Sequence, residues 1–529
     1  PLLTLNRLSG LVKGEPGITR TVADIMQMAA VDDAKGAAEP ILMPEHEGPD
    51  RDGLPVNPAS PRVASVPDMA PEMLVGQGHS AQGIEPFAPQ TIGVNFTGAT
   101  LSGGTFNTGA LPPDSDGAVG PTQYIVAVNG RIVSFNKTTG ASDGVLNATT
   151  NTFFSTVRNA SGTSDPQVRY DRLSNRWFIA IINVSTPNRW LLAVSDAASN
   201  GVISGSTVWT YYFFVPATVT PAISNGNTCL SDYPSLGIDA NALYMGVDQF
   251  CGSGQPFQQC DVFVIRKSSV LSGGPIVVTT FRGVMSVSTG YAGPFAPRGV
   301  DNYDPTSNEG YFIGADGAAY GLLDMIRVAN PGGTPSISPN IGITVPVTSQ
   351  PLTVPHLGNT GGTNGFLDPL DDRPFMAHIR NQQLWTAQNI KVDNTGVVNA
   401  TDANNTRDGS RWYQFDVPVG SGTPTIVQSG IVFTQTANNL TTERHYWVPS
   451  IMVSGQGHAA MGFSTAGTNE RINAATVGRL ATDPAGTMQT PTLLTASSTA
   501  YNPTSDTGAS RGSRRWGDYS ITSLDPLDD

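Results

Sequence analysis

The chain has 529 residues, 58 of them Gly and 40 Pro, and only 13% are charged. Aromatics at 8% and an evenly spread 39% apolar share argue against disorder over most of the length. A net charge of −13 offers no footprint for nucleic acid or anionic lipid, and no run of 18 apolar residues could span a membrane as a helix, so neither partner is expected.

Residues 1–87 hold six of the nine Glu and many Pro, and they read as an extended, Pro-rich arm. One amphipathic helix is predicted over residues 21–35, where Val22, Ile25, Met26 and Ala29 share a face. Such an arm serves as a linker or pro-region, or docks on another copy of the chain. Few charges, scarce Lys and abundant Thr, Ser, Asn and Gly fit an exported bacterial protein, secreted or held at the cell surface.

From residue 88 short β-prone runs alternate with turns, and a unit of strand, turn and apolar strand returns seven times. Its copies include PQVRYD-RLSNR-WFIAII, PSLGID-ANA-LYMGV, GVDNYD-PTSNEG-YFIGA, PFMAHI-RNQQ-LWTA, PSIMVS-GQGH-AAMGF and, at the end, SITSLD-PLDD. The sixth residues of the seven copies are Val126, Asp171, Asp239, Asp304, Ile379, Ser454 and Asp525. A small sheet with two partly apolar faces cannot bury both alone, and radial stacking buries them against neighbours. The fold expected over residues 88–529 is therefore an all-β, seven-bladed β-propeller, six or eight blades being the alternative counts. Its last blade is incomplete where the sequence stops at Asp529. Residues 91–102 are placed to supply it a strand; otherwise the natural chain runs further. Cys251 and Cys260 flank the loop CGSGQPFQQC and read as a disulfide clip, three free thiols being the alternative.

The segments PPDSDGAVGP (112–121), SDPQVRYDRLSNRWF (164–178), SDYPSLGIDANALYMG (231–246), WVPSIMVSGQGHAAMGFS (447–464) and RWGDYSITSLDP (515–526) resemble a family of secreted bacterial β-propeller proteins. That family is similar in layout to sialidase-type propellers, and most members have no assigned activity. The resemblance implies export and a chain that normally continues past the RWGDYS segment; it brings no catalytic assignment.

No nucleophile elbow, zinc-protease helix or phosphate loop is present. The densest local set of acid, base and aromatic groups is Glu443, His445 and Tyr446, a weak catalytic candidate whose alternative is a blade-connecting loop with an ion pair. Asp116, Asp165, Asp232, Asp372 and Asp518 fall at the entry to the first strand of their units, which in a propeller gathers at one channel mouth. They read as a cation site, Ca2+ being the natural occupant of carboxylate oxygens, or as local Asx turns. DSDG (114–117) resembles half of a calcium loop. Trp516 and Tyr519, flanked by Arg515 and Asp518, are candidates for an exposed ligand-binding face. The function expected is an exported, non-catalytic recognition or structural propeller that binds a glycan or protein partner. The alternatives are a glycoside hydrolase of sialidase-like layout and a self-associating subunit that uses residues 1–87.

Overall fold

The computed structural model describes residues 8–33, 41–44, 46, 48–62, 91–435, 443–509 and 512–528. Six sheets of at least four strands follow one another along the chain and form an all-β propeller. The first blade is Asp116–Val119, Gln123–Val128, Arg131–Asn136 and Ser142–Ala148. The second runs outward from Thr163–Asp171 through Arg176–Asn183 and Trp190–Ser195 to Val208–Phe214. In the third, Leu230–Asp232 and Gly237–Ile238 both pair with Ala242–Phe250, followed by Phe257–Arg266 and Val277–Ser286. The fourth starts at Pro294–Gly299 and continues through Glu309–Asp316 and Leu322–Ala329. The fifth contains Met376–Arg380, Gln383–Val392, Arg407–Asp416 and Thr425–Val432. The sixth contains His445–Val453, Ala459–Gly467, Glu470–Arg479 and Thr492–Leu493.

A sheet stacked between two others has no wet face, which is why Ala242–Phe250 is buried along its whole length. Phe178, Trp190 and Leu192 of the second blade meet Leu243, Met245 and Phe263 of the third in one apolar cluster. The Gly in LYMGV is required by this stacking. A Cβ on Gly246 would lie 1.9 Å from the Pro297 carbonyl oxygen of the fourth blade.

The count of seven is corrected to six. The last return, SITSLDPLDD, builds no sheet among the described residues. Residues 519–525 instead run as one extended segment between the sixth and first blades. Ser520 Oγ donates to the Val448 carbonyl, Ser523 Oγ accepts from Val119 N, and Lys137 grips Asp525 at 2.8 Å. The repeat is visible because this segment has the sequence of an innermost strand, but among the described residues it pairs with no outer strand of its own. Residues 91–102 form no strand in any blade either. They seal the same seam with side chains: Phe96 packs on Tyr124 and Phe135 of the first blade, and Asn95 Nδ2 donates to Leu494 O of the sixth.

The described part of residues 1–87 lies on the propeller itself. Ile18–Thr21 adds an outer strand to the second blade and Ser9–Lys13 one to the third. The predicted helix is present at Val22–Asp33. It starts at a reciprocal cap in which Asp24 N donates to Thr21 Oγ1 and Thr21 N to Asp24 Oδ2. Val22, Ile25 and Ala29 are buried against a cluster that includes Phe153 and Trp209, with Met26 at its edge. No described helix is long and apolar enough to cross a membrane.

The cysteine pairing also differs from expectation. Cys229 is bonded to Cys251, and Cys260 is a buried free thiol. The hairpin closes with Phe250 opposite Phe257, so Cys260 sits three residues up the returning strand, opposite Asp248, beyond reach of Cys251. Cys251 lies past the strand end and faces the turn that ends at Cys229. Burial, with Asp248 alongside, pushes the Cys260 thiol well up. Non-reducing peptide mapping is expected to recover the 229–251 pair, with Cys260 alkylated only after unfolding. Cys229→Ser is expected to lose about 3 kcal/mol through its 22-residue separation, read as a shift in denaturation midpoint.

Candidate functional site: an acidic cavity at the channel mouth

The innermost strands converge on the axis. A small space there is lined by Asp116 and Arg169, by Ser235 and Arg298, by Met376, and by Tyr519 from the terminal segment. Arg169 ties these elements together. Its Nε donates to Asp301 Oδ2 at 3.0 Å and its Nη1 to Asp116 Oδ2 at 3.2 Å. Asp301 Oδ1 in turn accepts from Ile238 N of the third blade. Asp116 of the predicted acid set is thus held in an ion pair on the axis. Burial raises its carboxyl to about 6, against the pull of Arg169.

At one end of the axis the channel opens into a cavity of about 210 Å³. Eight aspartates line it (Asp50, Asp52, Asp165, Asp232, Asp248, Asp368, Asp371 and Asp518) against three arginines, Arg51, Arg373 and Arg515. Of the predicted set the structure brings together Asp165, Asp232 and Asp518, with Arg515 beside them. Asp372 does not line the cavity. It is taken by Arg51, whose Nε lies 2.7 Å from its Oδ1, and by the Thr348 hydroxyl at 2.8 Å. Arg51 belongs to the N-terminal segment that runs over the cavity, and it also packs against Phe295 and Tyr320.

The electrostatics split the acids into two kinds. Burial raises Asp165 well above the usual carboxylate range, and the facing charges of Asp232, Asp114 and Asp518 push in the same direction. Asp114 is raised to about 8 by burial and by Asp518, and Asp248 to about 6 by burial despite nearby Arg373. Burial would raise Asp371 too, but the Arg373 guanidinium, bound to both its oxygens, outweighs that and holds it below the ordinary range. One cavity therefore holds, side by side, carboxyls pushed above the ordinary range and one held below it.

Loop geometry sets these positions. Asn129, fully buried after Gln123–Val128, accepts from Asp165 N at 2.9 Å and donates through Nδ2 to Asp114 Oδ2 at 2.5 Å. Asp518 N donates to Asp114 Oδ1 at 2.9 Å, which draws the terminal segment onto the first blade. Arg515 Nη2 bonds Asp518 Oδ1 at 2.8 Å, and its Nη1 reaches the Met43 and Pro44 carbonyls. His46 reaches Asp232 Oδ2 at 3.4 Å and Gln255 at 2.6 Å.

Other expectations are corrected. Trp516 and Tyr519 do not form an exposed face. Tyr519 is buried and donates to the Pro166 carbonyl, while Trp516 packs on Trp447 and Tyr501 and donates to Ser464 Oγ. Trp516 is thus taken up by the sixth blade and Tyr519 by the axis, beside Tyr233 and Arg298. Glu443, His445 and Tyr446 do not line the cavity. Glu443 is paired with buried Arg407 at 2.5 Å, His445 Nδ1 lies 2.9 Å from Asp408 Oδ2, and Tyr446 packs edge-on against Phe463. Glu443 and His445 join the sixth blade to Arg407 and Asp408 of the fifth, while Tyr446 packs within the sixth. Glu443 and Tyr446 line a separate cavity with Phe433, Arg444 and Glu470. The acids at the repeat ends are turn-formers: Asp171 accepts from Leu173 N and Ser174 N, and Asp239 from Asn241 N and Ala242 N.

Sequence reasoning missed Asp248, Asp368, Asp371, Arg51 and His46. Asp371 and Arg373 had a signal in the run DDR. Arg51 had none, since nothing in residues 1–87 marks which side chain enters the channel. Asp114 was visible in DSDG, though without its partners.

No protein-family model matches the chain, and no curated protein matches it. Among solved structures, an exo-β-1,3-galactanase from Clostridium thermocellum aligns at TM-score 0.31 and 10% identity, over 70% of this chain and 86% of that one. A hypothetical selenium-binding protein from Sulfolobus tokodaii aligns at 0.35 and 10%, over 72% and 80%. A thermostable family-43 glycoside hydrolase aligns at 0.29 and 8%, over 72% and 95%. Likeness at this level carries no argument about activity, which is left to the cavity itself.

Proposed function

We propose that this is an exported recognition propeller that binds a hydroxyl-rich group, the terminal unit of a glycan, in the channel-mouth cavity. The observation that carries this reading is the lining of eight aspartates and three arginines around about 210 Å³. Carboxylates accept hydrogen bonds from sugar hydroxyls and guanidinium groups donate them in fixed directions. The volume lies below the roughly 300 Å³ at which pockets for drug-sized ligands begin, so one terminal unit enters and not a chain segment. Export is supported by the Cys229–Cys251 bond, which persists in an oxidising compartment. The described residues between 8 and 62 are seated on this chain's own sheets, which favours the cavity over self-association as the functional surface.

A second reading, glycoside hydrolysis, is favoured by one observation. Raised Asp165 and Asp248 share the cavity with ionised Asp371, and hydrolysis of a glycosidic bond needs a protonated and an ionised carboxyl together. A glycan panel assayed for binding by calorimetry and for reducing-sugar release decides between the two. Binding without release is expected, and Asp232→Asn, at a partly exposed lining position, is expected to weaken it about tenfold, the loss of one hydrogen bond to a charged acceptor. Sugar release would replace the first reading by the second, and neither binding nor release would end both.

A further inference from the structure

Asp114, Asp165 and Asp518 each bring a carboxylate oxygen to one point, the three oxygens lying within 4.8 Å of one another. Oxygens about 2.3–2.6 Å from a shared Ca2+ are separated by at most roughly 5 Å. The group therefore has the span of one such coordination sphere. Acids gather for other reasons, but a second feature sets this group apart. Asp165 is 5% exposed, and its Oδ1 is taken by the Ser164 hydroxyl at 2.7 Å. Its Oδ2 is buried and accepts no hydrogen bond from any described residue. The charges facing that carboxyl belong to Asp232, Asp114 and Asp518. A buried acceptor without a donor is rare in native proteins and asks for a ligand.

Charge and lone-pair capacity agree with this. Three carboxylates face one guanidinium, that of Arg515 on Asp518, which leaves two negative charges, the complement of one divalent ion. One Asp114 oxygen accepts from Asn129 Nδ2 and the other from Asp518 N, so a lone pair remains on both. Asn129 fixes the Asp114 and Asp165 loops together, so the seat is formed before anything binds. All the donors are oxygens, which selects hard cations over zinc or copper.

We infer that Asp114, Asp165 and Asp518 form a binding site for a hard divalent cation of the Ca2+ class, with its remaining coordination positions facing the cavity. The site is independent of the glycan reading, since it needs no sugar to form. The experiment uses the whole chain stripped with EDTA and titrated with CaCl2 alone, by calorimetry and by thermal melting. One Ca2+ per chain and a rise in melting temperature are expected. Asp165→Asn and Asp518→Asn, both near-isosteric, are each expected to lower Ca2+ affinity at least about tenfold. Asp402→Asn, at an exposed position outside the cavity, is expected to leave it unchanged. No binding at millimolar CaCl2, or affinity retained in both site variants, would overturn the assignment. If Asp165→Asn does not fold, Asp518→Asn alone decides. Because no glycan is present in the titration, its failure and that of the glycan reading are told apart.

Discussion

Arg169→Met is expected to destabilise the propeller by roughly 3–5 kcal/mol, the cost of removing one member of a buried ion pair. The Arg169 guanidinium bridges Asp116 of the first blade and Asp301, whose other oxygen holds the third blade. Both carboxyls are almost wholly buried. A methionine fills the space of the stem but leaves two carboxyls on the axis without a counter-charge. Denaturant midpoints of wild type and variant measure the loss. The triple variant Arg169→Met, Asp116→Asn, Asp301→Asn is expected to recover much of it, because it removes the orphaned charges. A single variant as stable as wild type would show that the blades are not held through this point.

Asp248 supplies the second large effect, and its sign follows from linkage. Its folded carboxyl is raised to about 6, by burial first and against Arg373, while the unfolded chain titrates near 3.9. Between those values the folded state binds a proton that the unfolded state has released, so stability falls as pH rises from about 4 to about 6. Asp248→Asn cannot titrate. Relative to the variant, wild type is expected to lose stability on the order of 3 kcal/mol across that window. Denaturation curves for the two proteins at pH 4, 5, 6 and 7 test this directly. Parallel curves would mean that Asp248 is ionised throughout in the folded protein.

These two groups illustrate how unevenly the site was legible. Asp116 stood out because it recurs at a strand entry, yet its partner is an arginine in the next unit and its role is structural. Asp248 lies in the middle of the run LYMGVDQF, where nothing in the sequence separates a strand acid that faces a cavity from one that faces water. The same limit applies to the rings. Trp516 and Tyr519 sit among charges in the sequence, but Trp447 of the sixth blade packs on Trp516, and the Tyr519 hydroxyl ends on the Pro166 carbonyl of the second blade. The density of Glu443, His445 and Tyr446 along the chain is likewise no guide. Adjacent residues on a strand point to opposite faces, so neighbours in sequence do not assemble a site.

What the sequence determined by itself is local or repetitive. Turn acids such as Asp171 and Asp239, the cap at Thr21 and Asp24, the apolar face of Val22, Ile25 and Ala29, and the radial stacking of two-faced sheets all follow from spacing and side-chain chemistry within a few residues. The tertiary structure alone decided the number of blades, because a terminal segment with the sequence of an innermost strand closes a ring without becoming a sheet. It also decided which cysteine Cys251 meets, since the hairpin register carries Cys260 away along the strand. Above all it decided which aspartates share a cavity. Arg373 and Arg515 pair with acids two and three residues away, Asp371 and Asp518, whereas Arg51 and Arg169 reach Asp372, Asp116 and Asp301 from distant parts of the chain. Closure of the ring sets which acids are left facing one another.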